Sequence, residues 1–147
     1  MNARTKQIAL IAALVVVAVI VILVFVNQVY PGAGGTTVNG CPIKRGTSCP
    51  NWNLSNVNLS GGTLTASTLN GTNFSGTNGA NVKFDGANLK GANFTGTALG
   101  GASFDNANVS NATFLNAVLG PATFNGTVYC NTTWTDGTIK NPQASCP

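Results

Sequence analysis

The side chains of this 147-residue chain best suited to hold a metal or move a proton are four cysteines and three aspartates; histidine is absent. The cysteines are Cys41, Cys49, Cys130 and Cys146, and none forms a CxxC pair. Without that spacing and without histidine, a zinc site has no ligand set. The acidic residues are Asp85, Asp105 and Asp136. Three carboxylates with no histidine do not assemble an acid–base pair or a nucleophile triad. The expectation is a protein without catalytic residues, cofactor sites or metal sites. Asp85 and Asp105 stand 20 residues apart, and two stacked carboxylates are a start towards a calcium site. Lys83, two residues from Asp85, makes local charge compensation the expected reading. The cysteines then become structural, and their role depends on the elements that carry them.

Those elements announce themselves by a period of five. From Leu54 to Ile139 every fifth residue is apolar, running Leu54, Leu59, Leu64, Leu69, Phe74, then Gly79, then Phe84, Leu89, Phe94, Leu99, Phe104, Val109, Phe114, Leu119, Phe124, Tyr129, Trp134 and Ile139. Five matches neither the 3.6-residue period of a helix nor the two-residue period of a strand. It requires a chain that turns a corner every five residues and sends one side chain inward from each side, which is a solenoid. Two positions before most centres sits a small residue, such as Ala87, Ala92, Ala102 and Ala107, or threonine at 72, 77, 97, 127 and 132. Two positions after sits Gly or Asn in most units, the residue types that turns favour. The other two positions are mostly polar and face outward. Agreement of all five columns makes the period structural.

The units Ala87-Asn88-Leu89-Lys90-Gly91 and Ala92-Asn93-Phe94-Thr95-Gly96 resemble the A-(D/N)-L-X-X signature of the pentapeptide-repeat family. The resemblance covers residues 52–141. It implies an all-β solenoid, a right-handed quadrilateral β-helix with four units per coil and about four to five coils spaced by about 4.8 Å. Four units per coil place Leu54, Phe74, Phe94, Phe114 and Trp134 on one wall and Leu64, Phe84, Phe104 and Phe124 on the opposite one. The aromatics are expected to stack as core. Gly79 leaves a gap that Val82 is close enough to help fill, and a local bulge is expected there. Trp52, at a corner position normally small, is expected to plug one end of the rod, and Trp134 the other.

The N-terminal thirty residues differ in composition. Ile8–Val26 is 19 residues long without a polar side chain, preceded by Arg4 and Lys6. As a helix it spans most of a bilayer core about 30 Å thick, and a signal-peptide apolar region is shorter. The expected organisation is a cytoplasmic N-terminus at 1–7, a transmembrane α-helix at 8–28, a flexible linker at 29–40, a disulfide-capped loop at 41–51, the β-helix at 52–141 and a C-terminal cap at 142–147. Basic residues before the span place that end in the cytoplasm and the β-helix outside it, at the cell surface or in a periplasm. Disulfides suit such a compartment. Cys41 with Cys49 and Cys130 with Cys146 would pin the two ends of a solenoid, whereas the other two pairings would have to link opposite ends of the rod.

Net charge is +4, but Arg4 and Lys6 belong to the membrane flank and Lys44 and Arg45 to the cap loop. The repeat itself sets Lys83, Lys90 and Lys140 against three aspartates, so no basic stripe for nucleic acid exists. The best-known members of the family imitate DNA with an acidic surface and bind gyrase in the cytoplasm. This chain lacks acidic walls, and that function is not carried over. Its outward ladders of Asn, Ser and Thr suit hydrogen bonding along the rod, or contact with a glycan or another cell-envelope component. An apolar patch of Ala98, Leu115, Val118, Pro121 and Val128 is the expected self-association surface. The functional expectation is a non-enzymatic, membrane-anchored display or adhesion rod. The alternative is a pilin-like filament subunit with Ile8–Val26 in the filament core.

Overall fold

A computed structural model describes residues 36–141. Within them, each inward residue is followed by a tight corner. The carbonyl of Phe84 accepts from the Ala87 N–H at 2.9 Å, Leu89 from Ala92 at 3.0 Å and Phe104 from Ala107 at 2.9 Å. The second corner residue has positive φ, +64° at Gly86 and +59° at Asn106. This is the pattern of a type II turn, which needs Gly or Asn there, and it explains the Gly/Asn column. Ala66 occupies the same position at φ +53°, where an L-residue with a Cβ is strained by roughly 1–2 kcal/mol. Ala66→Gly is therefore expected to raise thermal stability, by up to about 1 kcal/mol after the added chain entropy of glycine. An unchanged or lowered melting temperature would refute the turn assignment.

Corners bring the sides into parallel register. Single-residue bridges join positions 20 apart, including Ser48↔Thr68, Asn53↔Asn73, Asn73↔Asn93, Asn93↔Thr113 and Thr113↔Thr133. Twenty residues are four units of five, so the solenoid has four walls. Threonine serves the inward small position as well as alanine because its hydroxyl has a partner there. Thr72, Thr77 and Thr97 donate to the carbonyls of Cys49, Leu54 and Phe74 at 2.7, 2.6 and 3.0 Å. Each bond satisfies polar atoms that would otherwise be buried unpaired.

The interior is built from the five-residue series. Phe74, Phe94 and Phe114 stack at centroid spacings of 4.8 Å, and Phe84, Phe104 and Phe124 stack at 5.0 and 4.8 Å. The two stacks meet edge to face at 5.5–6.0 Å. These are the two favourable aromatic geometries, and together they fill the rod. The coil at Gly79 does not bulge. Gly79 and Asn78 keep their inter-coil bonds at 2.7 and 3.0 Å. Val82 is fully buried, and a Cβ at Gly79 would lie 3.0 Å from Leu99 Cδ2. Larger neighbours fill the gap, so the backbone need not move.

Both ends differ from expectation. The ladder reaches back to Ser48, and the Cys49 N–H donates to Thr68 O as Leu54 does to Asn73. Cys49 is thus the first inward residue, inside the cap loop 41–51. Below it lies a hairpin of β1 (Thr37–Val38) and β2 (Cys41–Pro42), with Val38, Cys41 and Ile43 buried. Its two-residue Asn39-Gly40 turn has positive φ at both positions, the preferred two-residue hairpin geometry. The cap is therefore this hairpin; Trp52 remains 40% exposed and does not plug the rod.

At the other end, β3 (Thr132–Thr133) pairs antiparallel with β4 (Ile139–Lys140). The chain reverses after Trp134, so Ile139 stands 47% exposed instead of filling a wall. Trp134 closes the aromatic column as expected, 5.5 Å from Phe114 and 5.2 Å from Phe124. Lys140 Nζ lies 5.3 Å from its ring centroid. The proposed membrane segment Ile8–Val26, most of the linker at 29–40 and the cap at 142–147 fall outside the described residues. No helix among the described residues is long and apolar enough to cross a membrane.

Candidate interaction surfaces

Centres point inward, so the residues on either side of each centre form the outer surface, two columns per wall. One wall carries Asn53, Asn73, Asn93, Thr113 and Thr133 as one bridged column. Their asparagine carboxamides mainly brace their own backbone. Asn53, Asn73 and Asn93 Oδ1 accept from the N–H groups of Ser55, Ser75 and Thr95 at 3.1, 3.0 and 2.9 Å. A bond along the rod joins Asn73 Nδ2 to Asn53 Oδ1 at 3.4 Å. Asn58, Asn78, Asn88 and Asn108 make the same two-residue bond on other walls. Asparagine is frequent before each centre because it fixes the corner that follows.

The aspartates are held by neutral donors. Ser103 Oγ donates to Asp85 and Thr123 Oγ1 to Ser103 at 3.2 Å. Asp105 receives the Asn125 N–H at 2.9 Å and its Nδ2 at 3.1 Å. Serine and asparagine one coil on, not the expected Lys83, are the partners seen. No group of three potential metal ligands occurs among the described residues. Hydrogen bonds from the Asn125 side chain and backbone hold the Asp105 carboxyl below the ordinary value of 3.8. The Thr138 hydroxyl and N–H do the same for Asp136. A carboxyl depressed on folding stabilises the fold above its unfolded value, and that contribution is lost as pH falls through the folded value. Stability should therefore fall as pH drops below about 4, the ordinary carboxylate range. With histidine absent it should be flat between about pH 5 and 8. Urea midpoints across that range test this, and Asp105→Asn should weaken the acid limb.

The apolar patch divides. Ala98 and Val118 are bridged neighbours in one column, and Val118 is 66% exposed. Gly100 and Gly120 stand in the parallel column, leaving this strip flat. Leu115, 38% exposed, lies round one corner of it, and exposed Pro121 sits at the next. Val128 belongs to the ladder of Asn88 and Asn108. It is ten residues, half a coil, from Val118 and therefore on the opposite wall. Four of the five residues are brought together and Val128 is not.

Cys41 and Cys49 are bonded, with both side chains buried. Cys130 is disulfide-bonded and buried, and its expected partner Cys146 lies outside the described residues. Cys130 occupies an outward column where most residues are partly exposed. Ser110, one coil below, is also buried, and its Oγ has no hydrogen-bond partner among the described residues. An open groove of about 450 Å³ on this side is lined by Asn70, Asn88, Lys90, Gly91 and Asn111. Sequence reading did not find it, because it arises from three successive coils sharing one corner.

Two pentapeptide-repeat family models match the chain, one over residues 63–96 and one over 80–134. No curated protein matches its sequence significantly. Among solved structures, a pentapeptide-repeat protein from the cyanobacterium Cyanothece is 34% identical, with a TM-score of 0.61. That match covers 63% of this chain and 65% of the other. HetL from the cyanobacterium Nostoc, a pentapeptide-repeat protein involved in heterocyst differentiation regulation, is 23% identical with a TM-score of 0.42. The match covers 63% of this chain and 43% of HetL. A pentapeptide-repeat protein of the Arabidopsis thaliana thylakoid lumen is 23% identical, with 66% and 70% covered and a TM-score of 0.31. The four-walled geometry, the two family matches and the Cyanothece structure agree: the chain belongs to the pentapeptide-repeat family and folds as a β-solenoid.

Proposed function

We propose that this protein is a membrane-anchored, non-enzymatic module that holds a short rigid rod outside the cytoplasm for display or adhesion. The observation that carries the reading is the buried Cys41–Cys49 bridge. Such bonds persist in oxidising compartments, and the apolar run Ile8–Val26 supplies the anchor. The rod's side is polar with little net charge, which fits a glycan or another cell-envelope component and not nucleic acid. Protease treatment of intact cells should remove the rod while leaving the N-terminal fragment membrane-bound. Non-reducing peptide mapping should join Cys41 to Cys49 and Cys130 to Cys146. Free thiols in the native protein would overturn the location.

The flat strip of Ala98, Gly100, Val118 and Gly120 favours a second reading, a filament subunit packed side to side through this wall. Mass spectrometry of the mature N-terminus separates the two. A start within a few residues of Ile8 supports the filament, and an intact Met1 excludes that processing.

A further inference from the structure

We infer that the N-terminal end of the rod is a foot that seats on anionic lipid headgroups through Lys44, Arg45 and the exposed face of Trp52. The inference rests on the membrane-anchored reading above. The β1–β2 hairpin closes this end, and Lys44, Arg45 and Gly46 follow it as exposed residues. Trp52 stands at the same end, 40% exposed. Its Nε1 donates to Asn39 O at 2.6 Å, and Gly40 packs so closely that a Cβ there would lie 3.0 Å from the ring. The indole is thus held in place by the hairpin tip with its polar atom already engaged. What it offers outward is apolar ring, the part of tryptophan that enters a membrane interface.

Charge is arranged along the rod axis in the same sense. Every acidic residue of the chain lies at Asp85 or beyond, so the first coil carries cations alone. Chain connectivity supplies the occupant. The described chain enters this end at Thr36, with only nine residues between it and Val26. A flexible chain of nine residues would have a typical end-to-end distance of about 16 Å. Screening in physiological salt has a length of about 8 Å. The anchor therefore holds the foot within one or two screening lengths of the headgroups, where basic residues are drawn to anionic lipid.

The full chain can be tested in vesicles as Trp134→Phe, which leaves Trp52 as its tryptophan. Vesicles contain brominated phosphatidylglycerol, and flotation reports insertion. Most of the Trp52 emission should be quenched at low salt. Emission should recover at about 1 M salt, where the screening length is about 3 Å, and in the Lys44→Gln/Arg45→Gln variant. A chain that floats with Trp52 unquenched overturns this inference alone. A chain that does not float removes the anchoring and the inference with it. Equal quenching by brominated phosphatidylcholine overturns the requirement for anionic lipid. Shielding of Trp52 in lipid-free detergent that grows with protein concentration assigns the foot to a second copy instead.

Discussion

Replacing Phe94 with alanine should destabilise the rod by about 3–5 kcal/mol, the range for deleting a fully buried phenylalanine. Phe94 is fully buried at mid-rod. Its ring stacks on Phe74 and Phe114 at 4.8 Å and meets Phe84 and Phe104 edge-on at 5.6 Å. No adjacent side chain can collapse into the hole, because each is already fixed between two coils. Phe124 offers the contrast. It makes the same kinds of contact but lies nearer the C-terminal end and is only partly buried. Phe124→Ala should cost clearly less. Urea unfolding of the two variants checks both statements. A Phe94→Ala loss smaller than that of Phe124→Ala would contradict the aromatic column as the main support of the rod.

The second large effect is expected at the N-terminal cap. Replacing Cys41 and Cys49 together by alanine should cost about 2–3 kcal/mol, the chain-entropy value for so short a loop. In a solenoid each coil touches only its neighbours, so the loss should appear first as fraying of that end. The Thr68 N–H bonds Thr47 O at 2.8 Å across the cap, whereas the Phe94 N–H bonds Thr113 O at 2.7 Å at mid-rod. Hydrogen exchange in the double variant should quicken at Thr68 well before Phe94. Equal loss of protection at both amides would mean that the cap and the rod unfold as one unit.

Much of this was legible in the residues. Inward Leu and Phe, corner Gly and Asn, and the small residue before each centre all follow from one repeating backbone geometry. Each column therefore records its own environment. Cys49 crosses the expected boundary because its sulfur both forms the crosslink and fills an inward position. At Trp52 the column position suggests a plug, while the hairpin that binds its ring shows no periodicity. Ile139 kept the beat of five after the backbone had left it. Asp136 and Gly137 turn the chain back at that point, and a period cannot report its own end.

The period of five determined the solenoid, and the family resemblance it carries implied the four walls, the register and the stacked aromatic interior. Those features rest on contacts repeated every 5 and 20 residues, so each unit confirms the others. Only the tertiary structure decided the surface and the ends. It showed the aspartates held by neutral donors and a hairpin under Trp52. These depend on single contacts between residues that occur once, and a contact made once leaves no period to read.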